Sequence, residues 1–250
     1  LRTSEQAEKS LLSSCRYTND EVLSLLSKFI DTASEMMLFL NNIEDINVYY
    51  RGEDNEVLNL GHIYISNIDD IRNTRQSRNF VDGNVSLRSN YRLNIEKEIF
   101  HKNIFEIEEW VISCISRNRE LSAEELSIDP TATIQWANVA ARLDNPSSNG
   151  VVYCSLPLPI TTGYPIHING NFALSSNRRH LWEQIETELS APAAFKSKWN
   201  REITSLVTDS YIILLEELKK HISKPIQLYN YWPCSKESHY FQQNMVPLFM

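Results

Sequence analysis

The sequence predicts an α+β fold in which a mixed or antiparallel sheet is covered by helices on one face. Two patterns that alternate unevenly along the chain support this class. Short stretches of alternating apolar and polar residues are typical of strands, whereas apolar residues repeated every three or four positions are typical of amphipathic helices. Turn-forming residues between neighbouring strand patterns favour antiparallel pairing.

The chain begins with a predicted linker followed by a helix. Residues 1–18 are polar and rich in serine, and they lack a regular apolar period. Asp20 and Glu21 place carboxylates where the positive end of a helix dipole favours them, so a helix is expected to begin at Asn19. Its apolar residues keep helical spacing to about Phe39.

Strand patterns dominate the middle of the chain, although the glutamates of residues 95–116 leave a helix open for one of the two segments there. Turns at 52–55 and 145–150 predict two hairpins, each joining the strands that flank it. Residues 121–128 suggest a surface connector, and Trp136 is expected to be buried against the terminal helices. The predicted strands are residues 46–50, 57–66, 95–105, 105–116, 134–143, 151–156 and 166–174.

An arginine-rich segment at residues 68–92 has few large apolar side chains. This composition predicts a mobile loop that contains an imperfect helix. One interpretation is a solvated insertion, and the other is a surface that docks an acidic partner or the adjacent domain. The docking candidates are Arg72, Arg75, Arg78 and Arg88.

The most informative stretch is residues 156–182, because its chemical character changes three times. A proline-rich lead-in precedes an apolar strand, and the strand ends in the polar loop Ser175, Ser176 and Asn177. Arg178 and Arg179 follow at the predicted start of a helix. A helix start with two guanidinium groups aims positive charge and free backbone N–H groups at an anion.

A structural role for the same two arginines is the alternative, in which they cap local carbonyl groups or pair with Glu183 and Glu186. His167, in the strand before the loop, is expected to be a satisfied strand residue and not a ligand. Paired carboxylates such as Glu124–Glu125 are expected to be solvated surface groups. After an interruption at Pro192, apolar residues predict a long helix to about His221.

Composition restricts the function classes. The net charge is −8 and the pI is about 5.3, which argues against a nucleic-acid partner. No stretch of 18 apolar residues is present, so membrane insertion is not expected. The four cysteines are too widely spaced for a cysteine-based zinc site, and no metal is expected. Phosphate-binding glycine loops are absent, so the chain is expected to hold no cofactor and not to be an enzyme alone.

Four blocks of the sequence resemble, in the same order, the repeats of the sacsin family of large chaperone-related proteins. This resemblance implies that residues 1–18 are the end of an ATP-binding domain of the heat-shock-90 type and a linker. Residues 19–224 would be a domain like the second, or middle, domain of the heat-shock-90-type and mismatch-repair ATPases, and residues 225–250 an extended tail or the start of the next module. The blocks are residues 36–46, 136–141, 150–159 and 165–182.

The resemblance also implies a role. Arg178 or Arg179, delivered by the loop Ser175–Asn177, would reach the terminal phosphate of ATP that the upstream domain holds with magnesium. The segment would couple that domain to protein clients or chaperone partners in the cytoplasm. The alternative is a passive scaffold repeat that has no coupling to ATP.

Overall fold

The computed structural model describes residues 17–52, 55–77, 87–146, 149–182 and 190–232. These ranges contain five α-helices and eight strands that pair mostly antiparallel, which confirms the predicted α+β class. The chain divides into two compact units. The first unit comprises Leu1–Met37, Asn42–Ser66 and Ile95–Ile107, and the second comprises Leu38–Asn41, Asn67–Asn94 and Glu108–Met250.

The first unit contains helix α1 (Asn19–Met37) and the hairpin of β1 (Asp45–Arg51) and β2 (Val57–Ile65), as predicted. Thr18 caps α1, because its hydroxyl accepts the Glu21 N–H while the Glu21 carboxylate accepts the Thr18 N–H at 2.8 Å. The strand order continues from β1 and β2 to β3 (Leu87–Ile99).

Helix α2 (Ile68–Ser77) is the imperfect helix expected in the arginine-rich segment, but the predicted loop does not extend to residue 92. Residues 87–92 belong to β3 instead. Tyr91 and Leu93 point into the core while Arg88 and Arg92 point outward, so alternate positions provide enough apolar anchors for a strand. Residues 78–86 lie outside the described ranges.

The glutamate-rich residues 95–116 form two strands, and neither segment is an α-helix: the first part belongs to β3, and the second to β4 (Ile104–Asn118). Strand β5 (Ile134–Arg142) pairs with it antiparallel, with Ile112 opposite Ala140. The connector between them contains a short helix, α3 (Ala123–Ile128). A capping box of Ser122 and Glu125 starts this helix, where the sequence suggested only a surface connector.

An ionic cluster holds α3 against the long helix α4 (Ala191–His221), so Glu125 is not the solvated surface group that was predicted. Arg119 lies 2.6 Å from Glu125 and 2.8 Å from Glu202 of α4. Bonds from Arg119, Ser122 and Lys198 lower the pKa of Glu125 to about 2.

The predicted hairpin between β5 and the next strand is wrong. Strands β6 (Val151–Cys154) and β7 (Leu156–Thr161) form a hairpin with each other, and β8 (His167–Gly170) enters between β5 and β6. Ile168 of β8 lies opposite Val139 in an antiparallel pair and opposite Val152 in a parallel pair. The order in the second unit is therefore β4-β5-β8-β6-β7.

Strand β7 explains the proline-rich lead-in. Pro157 and Pro159 lack the N–H that a strand inside a sheet must donate, but β7 is the last strand in the order, and one of its sides has no partner strand among the described residues.

Helix α4 packs on one face of this sheet, where Val139, Ile168 and Val207 share the core. Pro192 lies in its first turn and starts the helix, whereas the sequence suggested an interruption there. The opposite face is also buried, which differs from the expected single covered face: Ile112 and Ala140 have no exposed area.

Trp136 projects from β5 on the side opposite to Ala137, which lies in the core shared with α4. It is only half-buried, so the expectation of burial against the terminal helices is wrong.

The first part of the tail packs on the second unit. Helix α5 (Pro225–Leu228) is followed by a 3₁₀ turn that buries Tyr231. The Tyr231 hydroxyl donates to the Arg142 carbonyl at 2.6 Å, and the Tyr211 hydroxyl donates to the Tyr231 carbonyl. Within the described ranges, no helix is both long enough and apolar enough to cross a membrane.

Gly150 is essential for the strand order, and we expect Gly150→Ala to lower the free energy of unfolding by at least about 2 kcal/mol. A Cβ at this position would lie 1.7 Å from the Ile166 carbonyl oxygen, which is backbone and cannot yield by a rotamer change. Gly61→Ala is the control, because its nearest contacts would be 3.1 Å. Urea unfolding of both variants measures the difference, and equal losses would contradict the argument.

The buried His167 is expected to make the free energy of unfolding depend on pH. Its Nδ1 accepts the Val151 N–H at 3.3 Å, but its buried Nε2 has no partner in the described part of the chain, so the residue is less satisfied than predicted. Burial lowers its pKa from 6.5 to about 4.

Between pH 6.5 and 4 the unfolded chain therefore binds more protons than the folded chain. The free energy of unfolding should fall by up to about 3 kcal/mol as the pH falls through this range. Urea midpoints across this range should fall less in His167→Gln. The same pH slope in both proteins would rule out His167 as the cause.

Candidate functional site

The loop with the two arginines forms the tip of a short β-hairpin. Leu174 and Leu181 pair in an antiparallel bridge, and the Trp182 N–H donates to the Ala173 carbonyl at 2.9 Å. The Arg178 N–H donates to the Ser175 carbonyl at 2.8 Å, which closes a turn. The prediction that a helix starts at the arginines is therefore wrong, because residues 174–181 pair with each other instead.

Two polar side chains form hydrogen bonds within the turn and stabilise it. The Asn177 side-chain oxygen accepts the Arg179 N–H at 3.0 Å and the Ser175 hydroxyl at 2.7 Å. The Ser175 oxygen in turn accepts the His180 N–H at 3.2 Å. Because the N–H groups of all three residues from 178 to 180 have partners within the turn, the prediction that free backbone N–H groups face an anion is also wrong.

The basic side chains of the turn are exposed to solvent. Arg178, Arg179 and His180 are exposed, and neither guanidinium forms an ion pair with any residue that the structure describes. Arg178 has a φ of 56°, a left-handed conformation that is uncommon outside glycine. Glu183 and Glu186, the structural partners considered in the sequence, lie outside the described residues.

The charge of Arg178 also acts on the thiol of Cys154 in β6. Burial raises the pKa of this thiol, and the hydrogen bond to the Phe172 carbonyl and the Arg178 charge oppose that increase.

Asn171 ends β8 and starts the first arm of the hairpin. Its side-chain oxygen accepts the Trp136 N–H at 3.1 Å, and its side-chain nitrogen donates to the Ile134 carbonyl at 2.7 Å. The side-chain amide of Asn171 thus makes the hydrogen bonds to β5 that the backbone of the next residue pair would make. The main chain after Asn171 can therefore leave the sheet. Trp199 of α4 fixes the released chain, because its indole N–H donates to the Asn171 carbonyl at 2.6 Å.

Asn200 of α4 binds both arms of the hairpin. Its oxygen accepts the Ala173 N–H at 2.7 Å, and its nitrogen donates to the carbonyls of Ala173 and Trp182, each at 2.9 Å. The side chain is fully buried. No motif marked Asn171 or Asn200 in the sequence, because their importance lies in contacts with residues 18 to 37 positions away.

A groove of about 380 Å³ lies beside the hairpin. Ala173 and Leu174 line it on one side, and Phe195 and Trp199 of α4 line it on another. Lys196 also borders the groove, with its ammonium 4.6 Å from the centre of the Trp182 ring. This cation–π contact adds a positive charge at the base of the hairpin.

The arginines proposed for docking have different environments. Arg75 is fully buried and donates to the Leu40 carbonyl, so its assignment as a docking residue is wrong. Arg72 is partly exposed and lies 3.0 Å from Asp69, and Arg88 is exposed on β3. Arg78 lies outside the described ranges. Within those ranges, no three His, Cys, Asp or Glu side chains are placed to share a metal ion.

Comparison with known proteins gives one relevant relative. No family model and no solved structure matches the chain. Human sacsin (Homo sapiens) is 27% identical over 235 residues, which cover 88% of this chain and 5% of the relative. The chain therefore spans a small part of the length of the relative that it matches. Over most of its length the chain is therefore similar to a region of human sacsin, in agreement with the resemblance of its four sequence blocks.

Proposed function

We propose that this chain is a non-catalytic segment of a sacsin-like chaperone and couples an upstream ATP-binding domain to clients or neighbouring domains. The observation that carries the proposal is the hairpin turn with Arg178 and Arg179. Both guanidiniums are exposed, and the turn that presents them is held by its own hydrogen bonds. The similarity to sacsin supports placing this turn in a large multidomain protein.

The turn is suited to a phosphate on another domain. A guanidinium offers planar, paired donors that match phosphate oxygens, and its charge persists at any physiological pH. Because no helix starts at the turn, the side chains supply all of the positive charge, without a helix dipole. A turn that is ordered before contact loses little conformational entropy when it meets the nucleotide.

The rest of the proposed role follows the resemblance to middle domains of heat-shock-90-type ATPases. ATP and magnesium would be held by the upstream domain, and this segment would contribute one arginine across the domain boundary. Clients or chaperone partners in the cytoplasm would respond to the state of that domain. Arg72 and Arg88 remain candidates for docking an acidic partner, since both have exposed area.

Arginine substitutions test this function in a longer chain that restores the upstream domain. Arg178→Ala or Arg179→Ala should lower ATP turnover on the order of 10²-fold, because one charged donor to the transition state is lost. The dissociation constant for the nucleotide should change little, since the contact strengthens mainly in the transition state. Steady-state turnover and equilibrium titration measure the two quantities.

Arg201→Ala is the matched control, because Arg201 is an exposed arginine on α4 outside the turn. It should hydrolyse ATP at the parental rate. If both single variants and the double variant also reach that rate, the arginines are structural and a passive scaffold describes the chain better.

The 250-residue chain alone should not bind ATP measurably, because its sequence has no phosphate-binding loop and only six glycines. Isothermal calorimetry with magnesium-ATP checks this expectation. A micromolar dissociation constant would place a nucleotide site within this chain and contradict the division of roles proposed above.

A further inference from the structure

We propose that Asn200 is the positioning residue of the arginine turn and ties the turn to α4, so that the turn moves with this helix. The effect of this positioning on ATP turnover rests on the proposed function. The link between α4 and the turn can be tested without it. The argument uses the length of the hairpin, the contacts of Asn200 and the packing of α4.

The hairpin is too short to hold its own position. Besides the bridge between Leu174 and Leu181, its arms share the backbone hydrogen bonds Trp182 N–H to Ala173 carbonyl and Ser175 N–H to His180 carbonyl, and an isolated two-stranded hairpin of this length is marginally stable in water. Leu181 supplies an apolar anchor, since it is buried in the core with α4. An apolar contact resists removal of the arm but is non-directional, so it does not fix the orientation of the turn.

Asn200 supplies the directional anchor. Its buried side-chain amide accepts the Ala173 N–H and donates to the carbonyls of Ala173 and Trp182. These directional bonds fix the distance of both arms from α4. An aspartate would lack the two donors, and an alanine would leave all three backbone groups without this partner.

The neighbouring residue Trp199 strengthens the tie, because it holds the Asn171 carbonyl at the start of the first arm. Two consecutive residues of α4 therefore hold the chain directly after it leaves β8. Since α4 is a continuous helix packed along the sheet, it behaves as a rigid support for these contacts. A shift of α4 would carry Arg178 and Arg179 with it.

The test is amide hydrogen exchange of residues 178–180, followed by NMR in the 250-residue chain. These amides bond to groups inside the turn and not to Asn200, so they report its order indirectly. In Asn200→Ala they should exchange at least about tenfold faster than in the parent, because both arms lose their hydrogen bonds to α4 and the hairpin opens more often.

Ser210→Ala is the control. Ser210 is also a buried polar residue of α4, and its hydroxyl donates to the Ser113 carbonyl at 2.9 Å, away from the hairpin. This variant should destabilise the chain without increasing exchange in the turn. Unchanged exchange in Asn200→Ala, or an equal increase in both variants, would overturn the proposal.

Asn200→Ser is the second variant in case the alanine protein does not fold. It removes both amide donors but leaves a hydroxyl and room for a bridging water, so it should fold and still exchange faster in the turn. Unchanged turn exchange in a folded serine variant would equally overturn the proposal.

A separate measurement distinguishes this inference from the proposed function. In the longer chain with the upstream domain, Asn200→Ala should lower kcat for ATP while leaving KM nearly unchanged. Faster exchange with unchanged kcat would uphold Asn200 as the positioning residue and count against the role in ATP hydrolysis. Lower kcat without faster exchange would count against Asn200 as the positioning residue.

Discussion

The entry of β8 between β5 and β6 is the constraint on which the second unit depends. It brings Ile168 into contact with two strands at once, antiparallel on one side and parallel on the other. The same placement buries His167 and lets α4 pack over a continuous apolar face. Gly150 makes the close approach possible, since any side chain there would meet the backbone of the chain that leads into β8.

Beyond the end of β8, asparagine side chains make hydrogen bonds to backbone groups in place of strand pairing. Asn171 completes the pairing with β5, and Asn200 completes the pairing between the hairpin arms. A side-chain amide carries the same donor and acceptor as a peptide group, so it can end one regular element and support another without leaving buried polar atoms unpaired. The arginine turn thus projects from the sheet and is still joined to it.

The hairpin changes how the arginine turn would act on an anion. A helix start would offer backbone N–H groups and a dipole, whereas this turn uses its N–H groups internally and offers only Arg178 and Arg179. The proposed contact with phosphate therefore depends on two exposed side chains carried by a hydrogen-bonded turn. The buried Asn200 then matters because it controls the position of that backbone.

The sequence by itself determined the elements whose signals are local. Periodicity identified α1, the first hairpin and the long helix α4 but left β4 open between strand and helix, and four sequence blocks, among them those around Trp136 and Arg178, indicated the relation to sacsin. Only the tertiary structure decided the order β5-β8-β6, the hairpin at Arg178, the burial of Arg75 and the contacts of Asn200. These features depend on contacts between residues far apart in the chain, and short-range spacing carries no information about which distant strand or carbonyl group a residue will meet.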